Sequence, residues 1–252
     1  MEKIVNIEPI RLGMLTPSSN TVLEPVTSEM VAEIDGVSAH FGRFRVTEIS
    51  LKEGALSQFD IEPLLEAARL LADAKVDVIA WNGTSAGWLG FDADRELCKK
   101  ITSELAIPAT TSTLALGDAF RSIDAERYGL VSPYLHEIQD KILKNFSAEG
   151  FTCVSEQHLN DPGNFSFAEV TEGEISKMVR QVALSKPQAI TIYCTNLRGA
   201  PLVQELEQEL GIPIFDTISV VVWKSLMLVG ADPAKIVGWG GLFNGNNWRD
   251  SV

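Results

Sequence analysis

Ile190-Thr191-Ile192-Tyr193-Cys194-Thr195-Asn196-Leu197-Arg198 reads as a buried strand that runs out at a cysteine, two small polar residues and the start of a helix. An earlier stretch, Val76-Asp77-Val78-Ile79-Ala80-Trp81-Asn82-Gly83-Thr84-Ser85, has the same form. In both, an apolar run ends in a small residue, then Thr, then Ser or Asn. Gly83-Thr84-Ser85 is therefore expected opposite Cys194-Thr195-Asn196, and the pair is expected to form an active site.

The surrounding chain repeats in the same order. Arg11-Leu12-Gly13-Met14-Leu15-Thr16-Pro17 is echoed by Arg127-Tyr128-Gly129-Leu130-Val131-Ser132-Pro133, a short strand closed by proline in each case. Ala106-Ile107-Pro108-Ala109 is echoed by Gly211-Ile212-Pro213-Ile214. Between these landmarks run amphipathic helices, such as Ile61 to Ala74 with Leu64, Leu65, Ala68 and Leu71 at helical spacing. The spacing predicts an α/β fold of two pseudo-symmetric βα-repeat lobes with parallel sheets, over residues 1–115 and 116–230, the tail 231–252 packing back on the first. Parallel sheets bind ligands beyond the carboxyl ends of their strands. Pro17-Ser18-Ser19-Asn20, Gly83-Thr84-Ser85, Pro133-Tyr134 and Cys194-Thr195-Asn196 all sit at such ends, so four polar loops are expected to converge on one cleft between the lobes.

Composition narrows the function. A net charge of −13 argues against a nucleic-acid partner or an anionic membrane surface, which need clustered cations. No run approaches the ~20 apolar residues of a membrane span, and Met1-Glu2-Lys3-Ile4-Val5 shows no secretory pattern. Three cysteines at 98, 153 and 194 without a CxxC, and three scattered histidines, predict no disulfide framework and no metal centre. The expectation is a cytoplasmic protein with reduced thiols, Cys98 and Cys153 being packing residues.

A thiol at a strand end beside a helix N-terminus meets conditions that lower its pKa. The hydroxyls of Thr84, Ser85 and Thr195, with loop N–H groups and the Tyr134 phenol, can hold a carboxylate or a developing enolate oxygen. Ser18, Ser19 and Asn20 are read equally as helix caps or substrate contacts. Asn164, in Asp161-Pro162-Gly163-Asn164, is as readily a turn residue as a ligand. Trp81 and Trp88 flank the Gly83 turn as core residues or as walls of an apolar pocket.

Pro17-Ser18-Ser19-Asn20-Thr21, Gly83-Thr84-Ser85, Cys194-Thr195-Asn196-Leu197-Arg198 and the closing Gly238-Trp239-Gly240-Gly241-Leu242-Phe243 resemble the aspartate/glutamate racemase superfamily, in its arylmalonate decarboxylase and maleate cis-trans isomerase branch. The resemblance implies two lobes, no cofactor, a small mono- or dicarboxylate substrate, a homo-oligomer and normally one cysteine from each lobe. Here the first-lobe position is Gly83, which resembles the decarboxylase arrangement. It implies a carboxy-lyase acting on substituted malonates, with Cys194 protonating an enediolate held by Thr84, Ser85, Tyr134, Thr195 and Asn196. The alternative it implies is a cis-trans isomerase working by addition of the Cys194 thiolate, with Asn20, Tyr134 and Asn164 fixing the carboxylates.

Overall fold

The computed structural model describes residues 9–32, 34–46, 51 and 59–250, the last five by backbone alone. Met1–Val5, read above for a leader, and the last two residues of the tail lie outside that range. Strands β1 (Ile10–Pro17), β2 (Val37–Phe44), β3 (Val78–Trp81) and β4 (Ala109–Thr111) form one parallel sheet in the order β2-β1-β3-β4. Strands β5 (Arg127–Ser132), β6 (Thr152–His158), β7 (Ala189–Ile192) and β8 (Ile214–Asp216) form a second, in the order β6-β5-β7-β8. Registers agree as well: Leu12 lies beside Val78 and Ile79 beside Ala109, as Tyr128 lies beside Ala189 and Ile190 beside Ile214. The expected two-lobed parallel α/β architecture is what the chain adopts.

Helices α1 (Leu23–Ala32), α2 (Ile61–Asp73), α3 (Ala86–Leu89), α4 (Phe91–Leu105) and α5 (Ser112–Ser122) follow the first-sheet strands, and α6 (His136–Ala148), α7 (Glu172–Ala183), α8 (Val203–Leu210) and α9 (Thr217–Leu228) the second-sheet strands. β3 and β7 are buried at every position, which is why they read as unbroken apolar runs rather than alternating ones. The repeated glycine in the first strand of each half has a packing cause. A β-carbon on Gly129 would stand 2.1 Å from Val182 Cγ1, where α7 crosses β5, and one on Gly13 would meet Val76 Cγ2 at 2.9 Å.

Each sheet changes winding direction between its two central strands, so the loops after β1, β3, β5 and β7 open onto the switch points. Helices tie the halves together: α3 of the first packs on α6 of the second. α9, from the second half, packs on β3, β4, α1 and α5. α5, from the first, sends Phe120 onto Tyr128, Phe151 and Phe215, with ring centroids 5.2–5.8 Å apart. The boundary expected at residue 115 falls inside α5, a helix that both halves share. In the tail, Gly241 N–H donates to Glu207 Oε2 on α8 at 2.7 Å, while Glu207 Oε1 accepts from Ile214 N–H at 2.8 Å.

Glu207, Asp94 and Asp216 are buried carboxyl groups, each pushed up to about 7 by loss of solvation. An acid whose folded pKa lies above its unfolded value near 4 holds more protons in the native state across the interval between them. Native stability therefore falls as pH rises from about 4 to 7, by on the order of 1.4 kcal/mol per pH unit for each such group. Thermal melts are expected to give a higher midpoint at pH 5.5 than at pH 7.5, with a shallower slope in Glu207→Gln. A midpoint that rises with pH over this interval would contradict the assignment.

Candidate active site

The loops after β1, β3, β5 and β7 meet at a small cavity of about 30 Å³, with Asn20, Gly83, Thr84, Tyr134, Asn164, Cys194, Thr195 and Asn196 on its walls. Pro17, Val46, Phe59 and Trp81 complete it. A larger cavity, about 460 Å³, lies between α5, α9 and the tail, but none of the strand-end loops reaches it. The chemistry-bearing side chains are at the smaller one.

Most of the polar groups are already hydrogen-bonded, several of them across the cleft. Asn20 Oδ1 accepts from Val22 N–H at 3.0 Å and Leu23 N–H at 2.9 Å, capping α1. Its Nδ2 donates to Thr195 O at 3.0 Å and Thr195 Oγ1 at 3.1 Å in the other half. The two readings of Asn20, cap and site residue, are thus both met by one side chain, which has no donor or acceptor to spare. Asn196 Oδ1 accepts from Thr21 N–H at 3.0 Å, and its Nδ2 donates to Asn164 O at 2.7 Å. Asn164 Nδ2 donates to Ser19 Oγ at 2.6 Å, and Ser18 and Ser19 both donate to Val46 O. Thr195 Oγ1 donates to Asn82 O at 3.0 Å. Ser18, Ser19 and Ser85 do not line the cavity; Ser85 is buried at the head of α3.

Tyr134 OH lies 2.5 Å from Thr84 Oγ1, and Tyr134 shares the cavity wall with Cys194. Burial, aided by the neighbouring thiol, raises the phenol well above its ordinary value, so it stays a donor. Its ring is held edge-on by Trp88 at 5.2 Å and Phe167 at 5.7 Å.

The thiol itself corrects one expectation. Cys194 is 3% exposed, and burial pushes it up to about 11; the Tyr134 hydroxyl and the Asn196 N–H, 3.4 Å from Sγ, pull it part of the way back. The helix expected to start after Cys194 does not: Thr195–Gly199 is a turn, followed by a short 3-10 segment at Ala200–Leu202 and only then α8. Without a helix N-terminus beside it, desolvation decides, and the resting group is a thiol. Asp216, whose buried Oδ2 has no partner among the described residues, adds negative potential in the same direction.

What remains available for an anion is backbone. The N–H groups of Gly83, Thr84 and Thr195, all on the cavity wall, donate to no acceptor among the described residues. Two strand-end loops facing one cavity with free N–H groups can hold two carboxylates without a cation. Tyr193, the polar residue ending an apolar run, escaped the sequence reading as a site group; its OH donates to Thr84 O at 3.1 Å and lies 2.7 Å from Thr113 Oγ1, fixing the Gly83 turn. Val46 and Phe59 are ordinary apolar loop residues and carry no signal at all.

Tyr134→Phe is expected to slow alkylation of Cys194 by iodoacetamide at fixed pH, read by peptide mass mapping, because a neighbouring hydroxyl that lowers the thiol pKa is lost. Unchanged or faster alkylation would remove Tyr134 as the partner of the thiol.

The family model described as arylmalonate decarboxylase matches residues 12–243. A maleate isomerase of Nocardia farcinica is 26% identical over 242 residues, 92% of this chain and 94% of that one. The arylmalonate decarboxylase of Bordetella bronchiseptica is 21% identical over 238 residues, 92% of this chain and 96% of that one. Among solved structures, a variant of the Nocardia farcinica maleate cis-trans isomerase, with one cysteine replaced by serine and a covalently bound succinylcysteine intermediate, superposes with TM-score 0.84 at 23% identity, covering 93% of this chain and 98% of that one. With its duplicated parallel sheets, its strand-end loops and the family match over residues 12–243, this chain belongs to the arylmalonate decarboxylase family of the aspartate/glutamate racemase superfamily.

Proposed function

We propose that this chain is a cofactor-independent enzyme that forms an enediolate from a small dicarboxylate, with the single thiol of Cys194 acting at the reacting carbon. The observation that carries the reading is the position of that thiol in a cleft walled by two loops whose N–H groups have no acceptor among the described residues, with no second cysteine among the lining residues. Read from sequence, decarboxylation comes first. The relatives support isomerisation better, since maleate isomerases predominate among them.

In isomerisation Cys194 Sγ–H first gives its proton to solvent, and the thiolate so formed adds through Sγ to one olefinic carbon of a cis-butenedioate. The π pair passes to the far carboxyl group as an enediolate, held by the N–H groups of one loop. The former double bond, now single, rotates; the enediolate pair re-forms it and expels the thiolate, leaving the trans diacid.

Decarboxylation is kept as the second reading because of Gly83 and the raised thiol. One carboxylate leaves as CO2 from the apolar side of Trp81 and Phe59, where desolvation favours its loss. The bonding pair becomes the enediolate, Cys194 Sγ–H gives its proton to the carbon, and solvent restores the thiol.

Incubation of the protein with maleate and a panel of substituted malonates, followed by NMR, separates the two. Fumarate formation supports the first, chiral monoacid the second. Inertness of the whole panel would remove the proposal.

A further inference from the structure

We infer that Trp81 is the specificity-determining residue of this cleft: its indole occupies the space of a first-half side chain at position 83 and closes the face of the reacting carbon opposite Cys194. The inference rests on the enediolate reading above and adds to it a reason for Gly83.

Position 83 stands two residues beyond the end of β3, and Cys194 two residues beyond the end of β7, so the residues to compare are Trp81 and Ile192. Ile192 leaves room for the side chain of Cys194. Trp81 does not leave room for one at 83. A β-carbon built on Gly83 would lie 1.9 Å from Cζ2, 2.3 Å from Cε2 and 2.4 Å from Cη2 of the indole, against the ~3.5–4.0 Å at which carbon atoms pack. The ring is held there: it is 1% exposed and lies against Phe44 with centroids 5.0 Å apart. It shares the cavity wall with Gly83 and Cys194.

A planar enediolate has two faces. Cys194 serves one. The other meets indole carbon, which carries no exchangeable proton and keeps water away. The thiol therefore adds, leaves or delivers its proton on one face, and the indole offers no proton on the other. If Trp81 is cut back, solvent water reaches the open face. In D2O the enediolate pair then takes a deuteron from the water, forming a C–D bond and leaving deuteroxide.

The test has two arms. The first is thermal and independent of turnover: wild type, Gly83→Ala, Trp81→Val and the double variant. Gly83→Ala alone is expected to lower the melting midpoint by about 5 °C or more. In the Trp81→Val background the same change is expected to cost less than about 2 °C, the signature of two residues competing for one space. If Trp81→Val does not fold, Trp81→Phe carries the same comparison. An equal cost of Gly83→Ala in both backgrounds overturns the inference. The second arm runs wild type and the Trp81 variant in D2O with maleate and with 2-methyl-2-phenylmalonate. Deuterium in the recovered diacids, a stable Cys194 adduct, or loss of product handedness, each confined to the Trp81 variant, supports it. A variant that turns over with the wild-type label and handedness overturns it. Wild type inert to both probes would defeat the enediolate reading, and the thermal arm would then decide the Trp81–Gly83 competition alone.

Discussion

Cys194→Ala is expected to lose turnover by about a thousandfold or more on whichever diacid the wild type accepts, while melting within a few degrees of it. The thiol is buried and the lost volume is one sulfur atom, a change that costs on the order of 1 kcal/mol. A merely structural cysteine would show the reverse pattern, a shifted midpoint with activity kept. Retention of full turnover would remove Cys194 from the chemistry. The same variant anchors a pH experiment with opposite signs for the two reactions. With the thiol pushed up to about 11, a reaction that uses it as proton donor runs at full rate near neutrality and declines as pH approaches that value. One that uses the thiolate as nucleophile accelerates over the same range, because the reactive form grows about tenfold per pH unit. Rate against pH from 7 to 10, corrected for stability, therefore discriminates isomerisation from decarboxylation without identifying the natural substrate.

Asn20→Ala has the largest expected effect on stability. The side chain makes four buried hydrogen bonds, two capping α1 and two crossing to Thr195. Its removal strands two N–H donors and a carbonyl in a site that is 2% exposed, at an expected cost of about 3–5 kcal/mol, read by urea unfolding. Asn20→Asp separates the two functions. Its oxygens still cap the helix, but no donor is left for Thr195, and a carboxylate faces the Thr195 carbonyl across the cleft. The variant is expected to keep α1 and still lose most of the stability and at least tenfold in turnover. If Asn20→Asp equals wild type, the bridge to Thr195 has no energetic role.

The duplicated pattern was legible because parallel strands buried on both faces leave uninterrupted apolar runs, and because Pro17 and Pro133 mark the ends of β1 and β5. From those runs the strand ends follow, and with them the four loops that the structure brings to one cavity. Side-chain occupancy was not legible. Ser18, Ser19, Asn20, Thr195 and Asn196 are polar residues at strand ends, as substrate-binding residues would be, yet Asn20, Thr195 and Asn196 spend groups on bonding the two halves together, and the Ser18 and Ser19 hydroxyls donate to Val46 O within the first. Hydrogen-bond partners 118 to 175 residues apart cannot be read from a local pattern.

Sequence alone determined the two-sheet plan, the strand-end placement of Gly83 and Cys194 and the family, since these depend on local periodicity and on order along the chain. Tertiary structure decided the rest. The protonated state of Cys194 follows from burial by residues of both halves, the crossing of α9 onto the first sheet from packing that no local run encodes, and the blocked space at Gly83 from the rotamer of Trp81. Each is a matter of what stands next to a group in space, and for each the neighbour comes from side-chain direction or from distant chain.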